Sequence, residues 1–144
     1  MPDERPKTCR LIVLLSGGPA DEPVIEMACL LARQKGAQLY LVHPVVVERS
    51  LPLDAAMPEA TERARVGLDR GRQLAARHGC PAQARELRTR DVAAALVDEA
   101  ADLGCDEIVL SVTEGQRGIG SPLAIAEQIL RQAPCPVWLY RGKP

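Results

Sequence analysis

CDEIVLSVTEGQRGIGSPLAIAEQILRQAPCPVWLY, residues 105–140, reads as strand, glycine-bearing loop, helix, proline-flanked turn and strand. Ile108, Val109 and Leu110 form an apolar run without polar alternation, the pattern of a strand covered on both faces in a parallel sheet. Gly115, Gly118 and Gly120 free the backbone of the loop that follows. Ser121 stands where a helix N-cap belongs, with Pro122 at the first helical position. Leu123, Ala126, Ile129 and Leu130 recur at helical spacing and predict a single apolar stripe. Pro134 and Pro136 end that helix, and Val137–Tyr140 resumes an extended run. A strand feeding a loop and then a helix N-terminus is a natural holder of phosphate.

The same unit recurs towards the N-terminus. Residues 1–8 are charged and contain proline, which predicts a flexible lead-in. Leu11–Leu15 is the first strand, broken by Ser16-Gly17-Gly18-Pro19. Asp21 is placed as the start of the first helix, with Val24, Met27, Ala28, Leu31 and Ala32 at helical spacing and Gly36 as its C-terminal cap. Leu39–Val42 is the second strand, which His43-Pro44 ends or bends. Residues 45–56 change character and predict a loop that moves or meets a partner. Pro58–Arg77 is strongly helical, its charges a solvated face. Residues 82–87 alternate and suit an exposed edge strand. Thr89 or Asp91 starts a third helix, closed by Gly104. Strands alternating with helices at this pitch predict one α/β domain over residues 1–144, doubly wound, with a five-stranded, mainly parallel sheet and helices on both faces. Ligands of such a sheet bind beyond the carboxyl ends of its strands, here between Ser16–Pro19 and Val112–Ser121.

Composition narrows the function classes. Of 144 residues, 47% are hydrophobic but only 2% aromatic, so Leu, Val, Ile, Ala and Met must build the core. The net charge of −1 and the interleaving of Arg with Asp and Glu give no basic stripe for nucleic acid. No apolar run approaches the roughly 18 residues of a membrane span, and no signal-peptide core follows the N-terminus, which predicts a cytoplasmic location. The five cysteines lack a C-x-x-C pair or a Cys/His cluster, so no metal site is expected. Cys29 and Cys105 are read as buried, and Cys9 and Cys80 as partly exposed at element ends. His43 and His78 lie on different elements and no nucleophile–base arrangement is visible, so no catalytic residue is assigned.

Three stretches resemble the universal stress protein family: RLIVLLSGG with LARQKGAQLYLVH, DVAAALVDEAADLGCDEIVL, and AEQILRQAPCPVWLY. The resemblance implies a strand order of 3-2-1-4-5 and dimers in which the fifth strands of two subunits pair. It also implies a division between members that bind ATP and members that do not. Binding members carry an acidic residue directly after the first strand and G-x2-G-x9-G-[S/T] after the fourth. Here the acidic position is Ser16, the first two motif glycines fall on Ser111 and Glu114, and the closing pair falls on Leu123-Ala124 with the spacer one residue short. A charged hydrogen bond to a ribose is worth about 1.5–3 kcal/mol, and Ser16 makes only a neutral one. A carboxylate about 4 Å from a phosphate charge costs on the order of 4 kcal/mol at an effective dielectric near 20.

These substitutions favour a non-enzymatic, dimeric stress-response domain that acts through an unidentified protein partner without a cofactor. The alternative is a nucleotide-binding module, for ATP or AMP, of altered specificity. It would use Ser16, Gly17, Gly18, Gly115, Gly118, Gly120 and Ser121 around a phosphate. The expected dimer surface is the terminal strand Val137, Trp138, Leu139 and Tyr140, whose backbone groups need a partner if it lies at a sheet edge.

Overall fold

The computed structural model describes residues 9–112 and 121–142. The lead-in at residues 1–8 and the loop glycines Gly115, Gly118 and Gly120 lie outside the described residues. The elements run β1 (Arg10–Leu14), α1 (Asp21–Lys35), β2 (Gln38–Val46), α2 (Pro58–Arg77), β3 (Ala82–Thr89), α3 (Val92–Asp102), β4 (Glu107–Val112), α4 (Pro122–Gln132) and β5 (Val137–Arg141). The five strands form one sheet in the order β3-β2-β1-β4-β5, and every pairing is parallel.

Alternate side chains of β1 feed two cores. Leu11, Val13 and Leu15 pack with Ile25 of α1 and Leu68 and Leu74 of α2. Ile12 and Leu14 pack with Leu96 of α3 and Ala126 and Ile129 of α4. Both faces of the central strands are thus covered, which is why their sequence is a continuous apolar run. Gly36, at φ 62°, takes the left-handed turn that ends α1. Asp91 caps α3 by accepting from the Ala94 N–H at 3.2 Å, and Ser121 caps α4 from the Ala124 N–H at 3.2 Å.

Several expectations need correction. The second strand does not stop at His43-Pro44 but continues to Val46. Proline is tolerated because β1 has ended: the Val42 carbonyl accepts from Leu15, and the next peptide on that side, Pro44, faces no strand. His43 and Val45 pair onward with β3. Residues 45–56 are therefore strand at their start. The remainder is tied down, with turns from Leu51 N–H to Glu48 O and Ala55 N–H to Pro52 O. Arg88 Nη1 donates to Ala55 O at 2.7 Å and Arg90 Nη2 to Leu51 O at 2.6 Å.

Asp21 does not cap α1. Ala20 holds that position without a side-chain bond, and Asp21 turns back onto the preceding loop. In α4 the apolar stripe splits. Ala126 and Ile129 are buried, while Leu123 and Leu130 are 62% and 53% exposed on another face. Cys80 is buried against Cys29, not partly exposed, and Cys105 is only half-buried.

Candidate functional site

The strand order reverses beside β1, which pairs with β2 on one side and β4 on the other. A crevice of about 380 Å³ opens there, beyond Leu14 and Leu110, and α4 forms its outer wall through Pro122 and Ile125. Its floor and rim include Ser16, Gly18, Pro44, Val46 and Ser111. This is where a doubly wound sheet holds ligands.

The loop after β1 is shaped by one carboxylate. Asp21 Oδ1 accepts from the Ser16 N–H at 2.8 Å and from the Ser16 hydroxyl at 2.9 Å, and Oδ2 accepts from the Gly17 N–H at 2.8 Å. Ser16 Oγ in turn accepts from the Gly18 N–H at 3.2 Å. Gly17, at φ 83°, allows the turn. The Asp21 carboxylate is thus spent on the loop, and Asp21 lines the cavity on the opposite face of the sheet.

The second wall is the exposed edge of β2. Gln38 N–H donates to Cys9 O and Val47 N–H to Thr89 O, so even-numbered peptides of β2 point to the β1 side. Past the end of β1 those peptides are Pro44 and Val46, both at the crevice. Pro44 has no N–H, and its carbonyl lies 3.0 Å from His43 Nδ1, which donates to it. The next donor on that edge, Val46, is about 7 Å further along.

The residues singled out in the sequence are therefore dispersed. Ser16 and Gly18 line the crevice. Gly17 lines only the cavity on the α1/α2 face, which Ser16 and Gly18 also border. Ser121 is buried and its hydroxyl is committed to capping α4. The role of Pro44 was missed. Its signal was present, a proline inside an apolar, β-branched run, but its meaning depends on where the neighbouring strand stops.

The fold and its switch-point crevice define an α/β domain of the doubly wound class. The profile described as "Universal stress protein family" matches residues 9–141, and the chain belongs to that family. Solved structures agree. A universal stress protein from Archaeoglobus fulgidus superposes with a TM-score of 0.74 at 19% identity, covering 91% of this chain and 92% of that one. A structure of the A. fulgidus protein in complex with dAMP gives 0.73 at 18% identity, covering 92% and 97%. A family member from Burkholderia pseudomallei gives 0.69 at 25% identity, covering 91% and 94%. No curated protein matches the sequence.

β5 is a sheet edge. Ile108 N–H donates to Pro136 O and Gly142 N–H to Val112 O, so the even-numbered peptides of β5 face β4 and those of Val137 and Leu139 face outward. Trp138 and Leu139 are 41% and 42% exposed. Tyr140 packs on the α1/α2 core and Val137 on the α3/α4 core, as strand alternation requires. Among the described residues no helix is long and apolar enough to cross a membrane.

Proposed function

We propose that this chain is a non-catalytic universal stress protein that has lost the nucleotide grip of its family and works in the cytoplasm as a homodimer, through a protein partner. The observation that carries this reading is the β2 edge at Pro44, which presents no amide donor to the crevice and whose carbonyl is already engaged by His43. Ser16 adds to it, being neutral and committed to Asp21. The second reading, a nucleotide site of altered specificity, is favoured by the preserved crevice and by relatives described in complex with dAMP or cAMP or with AMP bound. Thermal melts with millimolar ATP, ADP and AMP separate the two. The expected result is an unchanged midpoint. A ligand present at about 100 times its dissociation constant would add about 2.7 kcal/mol, and a shift of that size would favour the second reading.

The occupant of the β5 edge in this proposal is a second copy of the chain. A strand edge with outward peptides is self-complementary across a two-fold axis. Leu139, 42% exposed on that strand, supplies apolar surface to it. Leu139→Asp should convert the dimer to monomer in sedimentation runs, and an unaltered sedimentation coefficient would remove this surface from consideration.

A further inference from the structure

We propose that the groove between α1 and α2, on the face of the sheet opposite the crevice, is a second small-molecule site, suited to hydroxylated aromatic acids. Its floor is His43, which is only 7% exposed. Nδ1 carries the proton, because it faces the Pro44 carbonyl at 3.0 Å. Nε2 is then an acceptor, and among the described residues it has no hydrogen-bond partner. A buried acceptor left unpaired calls for an explanation, and a ligand donor supplies one.

The surroundings of the ring are kept small. A Cβ on Gly67, inside α2, would stand 2.9 Å from His43 Cδ2, and one on Gly17 would stand 3.1 Å from Nε2. Close packing of α2 on the ring accounts for Gly67. It does not account for the unpaired nitrogen beneath Gly17. Nε2 is sealed from solvent there, so a ligand reaches it by displacing the Ser16–Gly18 turn, whose two glycines permit the movement.

The cavity above measures about 470 Å³, within the range of small-ligand sites. Ile25, Val66 and Leu74 give it apolar walls for a flat ring. Of its acids, Glu62 is engaged by Arg65 and Glu22 by Arg70 at 4.0 Å, while Asp21 holds the turn that the ligand displaces. Arg63 also lines the cavity, and no ion pair among the described residues engages it. An acceptor at the floor, apolar walls and a guanidinium at the rim match a phenol at one end of a ring and a carboxylate at the other.

The test is an amide NMR titration of the full chain with 4-hydroxybenzoate and with benzoate, which lacks the phenolic donor. Shifts are expected at Gly17, Gly67 and Gly71, with 4-hydroxybenzoate binding about three- to tenfold more tightly. Val66→Trp, at an exposed wall position, should abolish the response with the rest of the spectrum retained, and Arg63→Ala should weaken both probes. His43→Phe should make the two probes equal; if it does not fold, the probe pair with Val66→Trp decides. No shift at about 10 mM probe, equal affinities in the native chain, or shifts confined to Ser111 and Ile125 across the sheet would each overturn the proposal.

Discussion

At the amino ends of the strands the side-chain bonds reach between segments distant in the chain; at the carboxyl ends most of them close local turns and caps. Arg10 Nη1 donates to the last carbonyls of α3 at Leu103 O, 2.6 Å away, and the Arg10 N–H donates to Asp106 Oδ2 at 3.0 Å. Lys35 pairs with the buried carboxylate of Glu107. Gly36, Gly79 and Gly104, at φ 62°, 71° and 65°, follow the ends of three of the four helices that arrive there. At the other end α1 and α2 begin without side-chain caps, α3 and α4 are capped by Asp91 and Ser121, and the β1 loop is held by Asp21 and Ser16. Both candidate sites lie at this end, separated by the Ser16–Pro19 loop. The amino end joins distant segments of the chain, and the carboxyl end is assembled largely from contacts within a few residues.

The sharpest way to break that contrast is Arg10→Ala. The guanidinium satisfies a helix C-terminal carbonyl, where a positive charge is favoured. Its loss should cost about 1.5–3 kcal/mol in urea unfolding, without altering self-association. A cost below about 0.5 kcal/mol, the level of an ordinary surface change, would show that this long-range bond does not secure the amino end.

Alkaline pH probes the same end. Burial, and then the neighbouring Cys80 thiol, push Cys29 up to about 12 from an ordinary 9.0. Burial and Cys135 push Cys105 up to about 11. The fold therefore favours the neutral thiols. Their contribution is intact below about pH 9, where the unfolded chain is also protonated, and is lost as pH rises through 9 towards the folded values. For Cys29 the loss at about pH 10 is about 1.4 kcal/mol. Urea midpoints at about pH 8 and about pH 10 should fall together less steeply in Cys29→Ala than in the native chain; parallel falls in the two would remove Cys29 as the cause.

What could be read in the sequence was what local chemistry decides. The apolar run Ile108–Leu110, the Gly36 turn and the Ser121-Pro122 helix start each carry their instruction within a few residues, and each lies where it was expected. What could not be read depended on distant partners. Pro44 sits in a strand only because β1 ends at Leu14. The faces of α4 were misassigned because the spacing of Leu123, Ala126, Ile129 and Leu130 does not say which part of an apolar surface the sheet takes. The Cys29–Cys80 contact joins α1 to the segment before β3 and has no spacing signature. The crevice was legible as a place, from topology. Its chemistry was legible only in part, since Ser16 could be aligned but its engagement with Asp21 required the folded loop.

The smallest expected effect lies in that loop. Ser16 is exposed, and its hydroxyl joins Asp21 Oδ1 to the Gly18 N–H. Ser16→Ala leaves both backbone bonds to Asp21 in place, so its unfolding free energy should stay within about 0.5 kcal/mol of the native value. Ser16→Asp is the sharper probe, because it restores an acid at the crevice rim while Pro44 still withholds a donor. If the β2 edge is the deciding defect, Ser16→Asp should melt at the same temperature with and without millimolar ATP. A nucleotide-dependent rise in that variant would shift the cause from Pro44 to Ser16, and would show that the carboxyl end had lost its ligand through one side chain, not through the path of a strand.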